Sequence, residues 1–127
     1  MSDKTFKKEE RLSGKLAVSK LFTSGKSFFL HPFLVYYTSR ESGADHSRLL
    51  ISVSKKNYKR AVHRNLVKRR IREAYRQSKP EILPLPGNEH YDIALVYISK
   101  EIHPFQFIKS KMNRIFKKIS EGNDKNS

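Results

Sequence analysis

Residues 55–79 read KKNYKRAVHRNLVKRRIREAYRQSK, in which eleven lysines and arginines stand against a single acid, Glu73. The chemistry open to such a run is phosphate recognition, because guanidinium groups grip phosphate oxygens two at a time and each neutralised phosphate releases counterions. Asn65 lies inside the run and offers both a donor and an acceptor, enough to read a base edge, a ribose hydroxyl or a metal-bound water. Eleven cations less one acid leave +10, two-thirds of the chain's formal +15. Solubility alone favours mixed signs, whereas concentrated like charge opposes folding, so a polyanionic partner is expected. Residue type separates RNA from DNA only weakly.

Other chemistries lack their residues. Metal-assisted cleavage of a phosphodiester needs two or more carboxylates converging on one site. Of the aspartates, Asp3 and Asp124 lie in expected tails, Asp45 lies in a polar loop, and only Asp92 borders an expected core strand. Glu73 reads as a charge partner for neighbouring arginines. The absence of cysteine excludes disulfides, thiol nucleophiles and cysteine-rich metal sites. No two of His31, His46, His63, His90 and His103 fall three or four apart, so each reads as structural or exposed. Neither a glycine-rich phosphate loop nor a nucleophile elbow occurs. Any chemistry on nucleic acid is therefore expected to come from another component.

The elements that must position the basic run follow from periodicity. A chain of 127 residues, 37% hydrophobic with eight Phe and six Tyr, argues for one folded domain. The expected organisation is a flexible basic N-terminus over 1–8, a single RNA-binding domain over 9–119 and a disordered tail over 120–127. No apolar run approaches the ~20 residues that span a bilayer, and the N-terminus lacks a hydrophobic leader stretch, so a cytoplasmic location is expected. Leu12, Leu16, Leu21 and Phe22 predict a first helix over 14–23, ended by Gly25 in a left-handed conformation. SFFLH and FLVYYTS, split by Pro32, and RLLISVS predict three strands, the last two forming a hairpin across the loop RESGADH.

Within 61–77, Val67, Ile71, Ala74 and Tyr75 share an arc of roughly 100°, while Arg64, Asn65, Lys68, Arg69, Arg72 and Arg76 fill the next ~140°. An apolar stripe and a cationic stripe thus run side by side, with Leu66 and Arg70 outside both. PEILPLPGNEH reads as an irregular connection. YDIALVYIS is almost continuously apolar, which predicts a central strand. Pro104 then suits the first turn of a last helix whose apolar face is Ile108, Met112, Ile115, Phe116 and Ile119. The order is αβββαβα: a small sheet packed by helices in an α+β (α/β) two-layer sandwich.

Ser52 through Lys56, Ala61-Val62, Arg64-Asn65, Lys68-Arg69 and Ile71 through Tyr75 closely resemble the signature of the protein subunit of bacterial ribonuclease P. The likeness extends to Arg11-Leu12, Leu21-Phe22, Gly25, Phe33 through Thr38, Arg48 and Asp92. It implies a mainly antiparallel sheet with one parallel pair joined by a left-handed crossover, against the usual right-handed rule. It also implies that a partner RNA is the catalyst, cutting precursor tRNA with Mg²⁺ to give the mature 5′ end. This chain would then be a monomer bound 1:1 to the RNA subunit, with precursor tRNA as the second partner and neither DNA nor membrane as one.

By the same resemblance, the RNA subunit meets Lys55, Lys56, Lys59, Arg60, Arg64, Lys68, Arg69, Arg70, Arg72 and Arg76. The single-stranded 5′ leader meets Val18, Phe22, Tyr36, Ser52, Arg64, Asn65 and Arg72; no metal ligand is firm, with Asn65 and Asp92 the two candidates for a place near a metal ion. Residue type alone would place Phe22 and Tyr36 in an ordinary core; only the resemblance turns them into stacking platforms. Leu66 and Ile98 stand where the family carries arginine, and Val18 where it often carries phenylalanine. A structural RNA-binding protein of ribosomal type shares the composition and is set aside on the motif alone. A membrane-active basic protein is disfavoured by the lack of a Trp-rich interfacial face.

Overall fold

A computed structural model describes residues 12, 14–40, 47–82 and 90–125, without the side chains of 79–82 and 121–125. The elements in chain order are α1 (Lys15–Ser24), β1 (Lys26–Leu30), β2 (Phe33–Ser39), β3 (Arg48–Val53), α2 (Ala61–Ile82), β4 (Tyr91–Tyr97) and α3 (Phe105–Lys125). This is the expected αβββαβα order. Residues 1–8, most of the β2–β3 loop and residues 83–89 of the proline-rich connection lie outside the described residues.

The four strands run β1-β2-β4-β3 across the sheet. β1 and β2 form an antiparallel hairpin through a cis His31–Pro32 peptide, β2 pairs antiparallel with β4, and β3 pairs parallel with β4. The expected hairpin of β2 with β3 is therefore incorrect, because β4 lies between them. The reason is burial: all of β4 except Val96 is buried, so it needs cover on both faces and takes the interior position beside β2.

Alternation along the strands separates two faces. Phe33, Val35, Tyr37, Leu49, Val53, Ile93, Leu95 and Tyr97 meet Val67, Ile71, Ala74 and Tyr75 of α2 and Ile108, Met112, Ile115, Phe116 and Ile119 of α3 in one continuous core. The opposite face carries Tyr36, Leu50 and Ala94, closed by Leu12, Ala17, Val18 and Leu21 in a much smaller cluster. Among the described residues, α1 and Leu12 cover the sheet's second face, and Leu16 and Phe22 stay exposed on α1.

Gly25 ends α1 in an extended conformation, with φ −76°, not in the left-handed one expected. Glycine is required there for space: a Cβ would lie 2.5 Å from the Leu21 carbonyl oxygen and 3.0 Å from that of Tyr37. α2 continues to Ile82, through Pro80 and into the stretch expected to be irregular. α3 begins directly after Pro104 and continues to Lys125, into the stretch expected to be a tail.

Candidate nucleic-acid interface

The basic segment divides into a turn, residues 54–60, and the polar side of α2. Tyr58 holds the turn in place. Its ring is buried, its hydroxyl donates to the Ser99 carbonyl oxygen at 2.7 Å, and its backbone N–H donates to Ser54 O at 3.1 Å. Burial, with Tyr97 adding to it, pushes the Tyr58 hydroxyl up to about 12. Asn57 reaches the Ile98 carbonyl at 3.4 Å, and the Ser54 hydroxyl accepts the Lys56 N–H at 3.0 Å. These ties fix the backbone and leave Lys55, Lys56, Lys59 and Arg60 exposed.

The first turn of α2 contains no acid, so the positive end of the helix dipole adds to the field of the turn. Arg64 folds back from that turn to donate to the carbonyls of Tyr58 and Lys59, at 2.6 and 3.0 Å. It thereby joins the turn to the helix and keeps its remaining N–H donors for a ligand. Asn65 and Arg69 are exposed and Lys68 and Arg72 are half-buried, giving the side-by-side stripes that periodicity predicts.

Two further arginines of the run have internal work. Arg70 donates to the His103 carbonyl at 2.7 Å, linking α2 to the approach to α3, so the structure separates it from the stripe. Arg76 grips both carboxylate oxygens of Glu73, and Gln77 donates to the same group at 2.8 Å. The Arg76 hydrogen bond, more than the Gln77 one, holds the Glu73 carboxyl down at about 2. Glu73 is thus the charge partner its surroundings suggested.

Four of the residues expected at the leader, Val18, Phe22, Tyr36 and Ser52, lie on the thinly covered face, whereas Arg64, Asn65 and Arg72 lie on α2. Phe22 of α1 sets its ring edge-on to Tyr36 of β2, centroids 4.6 Å apart, and stays 38% exposed, too open for a core residue. Val18, half-buried one turn earlier, packs in the same cluster as Tyr36 and Leu50. Ser52 is two residues beyond Leu50 on β3 and hence on the same face, paired across to Val96, which in turn pairs with Leu34. Leu34, Val96 and Ser52 form a half-buried row that continues the face beyond Tyr36. α2 packs beside β3, the strand at that end of the row, so the stripe and the open face are neighbours.

Asp92 has a different office. Arg48, its register partner on β3, holds its carboxylate through two hydrogen bonds of 2.8 and 2.7 Å, and Arg40 approaches to 3.8 Å. That clamp ties the parallel pair together and closes the floor of an open cleft of about 440 Å³ beneath Leu16, Ala17 and Lys20 of α1. Leu66 is half-buried, and Ile98 is exposed beside the basic turn, tied to it through Asn57.

Sequence reasoning missed Tyr58, which anchors the basic turn, and it named Arg64 without its role as the cap of that turn. It also missed that His31 and His103 come together with ring centroids 5.4 Å apart. The histidines are 72 positions apart in the chain, so only the tertiary fold reveals the pair.

The family model described as Ribonuclease P matches residues 6–120. This chain belongs to the ribonuclease P protein family. Its relatives include the ribonuclease P protein component of Porphyromonas gingivalis, 37% identical over 116 residues, spanning 89% of this chain and 85% of that one. That of Listeria monocytogenes is 40% identical over 88 residues, 69% of this chain and 71% of its own. Among solved structures, the RNase P protein of Thermotoga maritima superposes with a TM-score of 0.70 at 31% identity, covering 86% of this chain and 96% of that one. A Staphylococcus aureus RNase P protein gives 0.66 at 29%, covering 85% and 93%. Ribonuclease P proteins thus share both this sequence pattern and this fold. Among the described residues, no helix is long and apolar enough to cross a membrane.

Proposed function

We propose that this chain is the accessory protein of an RNA-catalysed ribonuclease P, binding the RNA subunit and the single-stranded 5′ leader of precursor tRNA during removal of that leader. The observation that carries the reading is a juxtaposition. A cationic stripe, Asn65, Lys68, Arg69 and Arg72, with the turn cations Lys55, Lys56, Lys59 and Arg60, adjoins a sheet face left open around Phe22, Tyr36 and Ser52. The stripe suits a folded RNA's phosphates, and the open rings suit unpaired bases stacked without regard to sequence. Arg64 and Arg72 stand where both RNAs would meet. Arg70 and Arg76, already bonded to His103 and Glu73, serve RNA only through their remaining donors.

Magnesium enters the reading as the RNA's ion. Among the described residues no three His, Asp or Glu come together as a cation cage. Asp92 is spent on Arg48 and Glu73 on Arg76. The described donors therefore do not fit a resident divalent cation, and Asn65 offers one neutral oxygen at most. What the protein supplies is charge neutralisation and a grip on the leader, both of which lower the magnesium the RNA needs.

The test is 5′ cleavage of a precursor tRNA at low Mg²⁺ by the cognate RNA alone, this protein alone, and the two mixed. Cleavage in the mixture only is expected. An inactive mixture beside an RNA that works alone at high Mg²⁺ would reject the assignment and leave a structural RNA binder.

A further inference from the structure

α3 carries a second cationic stripe outside the interface described above. Phe107, Lys111, Arg114 and Lys118 recur at i, i+4, i+7 and i+11, so they share one side of the helix next to its buried face. That side lies along β1, the edge strand at the end of the sheet opposite β3. Arg114, Lys117 and Lys118 line, together with Phe29 and Leu30, an open groove of about 460 Å³ with no carboxylate among the described residues of its wall. Residues 102–120 contain no acid at all.

Aromatic rings alternate with these cations. Phe29 is 59% exposed, with His31 beside it at 6.3 Å. His31 leads on to His103 and Phe107, which stack at 4.3 Å, and the Lys111 ammonium sits 5.1 Å from the Phe107 centroid. Near the other end, the Lys118 ammonium sits 5.4 Å from the Phe28 centroid.

We propose that the groove between β1 and α3 binds a single-stranded polynucleotide, with its phosphates on Arg114, Lys117 and Lys118 and a base on the face of Phe29. Cations without acids call for a polyanion, and a ring standing open in such a groove calls for a base whose face is not already stacked, which excludes a duplex. A second copy of the chain would set these same cations against each other and is repelled. The groove opens at the far edge of the sheet from β3 and α2, but Phe29 pairs with Leu34 and so ends the row of Val96 and Ser52, and it is the cations of α3 and a Phe22 reporter that separate this groove from the leader reading.

The chain has no tryptophan, so Phe29→Trp installs a lone indole reporter in the groove. The probes are a 12-nucleotide oligoadenylate RNA and an RNA duplex of the same length. The oligoadenylate is expected to quench the indole saturably and the duplex to quench it weakly. Adding Arg114→Ala, Lys117→Ala and Lys118→Ala should weaken affinity about tenfold or more at low salt. The same change should flatten the log–log salt slope by about 2, three phosphates at roughly 0.7 each. Swapping Lys117→Arg and Lys118→Arg should keep the affinity, and a separate Phe22→Trp reporter should titrate alike with or without the alanines. Quenching that ignores the three alanines, or that the duplex matches, overturns the proposal. So does an indole signal that follows protein concentration without RNA, which assigns the surface to self-association. A signal from phosphatidylserine vesicles but not from RNA assigns it to lipid and overturns the proposal equally.

Discussion

On the sheet face that carries Phe33, Val35, Ile93 and Leu95, α2 and α3 close a continuous core in which every one of those side chains is fully buried. On the face that carries Tyr36, Leu50 and Ala94, α1 and Leu12 supply the cover among the described residues, and Phe22 is 38% and Leu16 88% exposed. Gly14, the residue capping α1, has no side chain with which to bond the first turn, and no acid follows in that turn, so α1 is held by Leu12, Val18 and Leu21 and by the Gly25 N–H at its C-terminal end rather than by an N-terminal cap. The difference assigns the roles. One face sets the fold's stability, and the other keeps apolar surface available for a ligand beside the cationic stripe of α2.

Breaking the thick face should have the largest effect. Phe116→Ala removes a fully buried ring that packs 5.9 Å from Tyr75, and a loss of about 3–5 kcal/mol is expected by denaturant titration. Asp92→Asn comes next. It leaves Arg48 and Arg40 without their carboxylate at a site where Asp92 is only 7% exposed, and a loss of about 3 kcal/mol is expected in the same titration. A metal-ligand role for Asp92 would show instead as altered Mg²⁺ dependence with stability intact.

Much of this division was legible in the sequence. The apolar arcs Val67, Ile71, Ala74, Tyr75 and Ile108 to Ile119 named the faces that α2 and α3 bury, and the unbroken run from Tyr91 to Tyr97 named the central strand. Periodicity assigns a residue to a face but does not choose its neighbour, so it placed β3 against β2 where β4 in fact intervenes. The same limit applies to side chains with long reach. Helical phase left Arg70 outside both stripes and could not say that it ends on the His103 carbonyl, nor that Arg64 turns back onto the carbonyls of Tyr58 and Lys59. Gly25 was recognised as a helix terminator, yet what demands glycine there is the closeness of two carbonyls rather than a positive φ. For the leader-side residues, composition favoured core packing and the family motif pointed to the cleft; Phe22 stands 38% exposed, so for that residue core packing is not what the fold shows.

The stripe separates binding from stability. Lys68→Ala with Arg69→Ala should leave the melting temperature near that of the parent, because neither side chain makes a described tie to the fold. Affinity for the RNA subunit should fall, and the log–log salt slope should lessen by about 1.4–1.8 for two lost phosphate contacts. Arg64 is the wrong choice for this purpose, since its loss also frees the turn at residues 58–59.

The smallest expected effect is electrostatic. Arg76 and Gln77 depress the Glu73 carboxyl to about 2 from an ordinary 4.5. A depressed carboxylate contributes stability that is present above pH 4.5 and is lost as pH falls toward 2. Glu73→Gln should therefore lower stability slightly at neutral pH, converge with the parent as pH falls toward 2, and so shallow the acid limb over that window, and a series of melts across pH would show it.

The contrast between the faces is tested most directly by the affinity of the reconstituted RNA–protein complex for precursor tRNA with its 5′ leader and for mature tRNA without one, measured with the parent chain and with Phe22→Ala. Removing the half-exposed ring should weaken binding of the leader-bearing substrate while leaving mature tRNA and the melting temperature close to parental values. Equal losses for both RNAs, together with a large drop in melting temperature, would contradict the account by making Phe22 a packing residue of the fold.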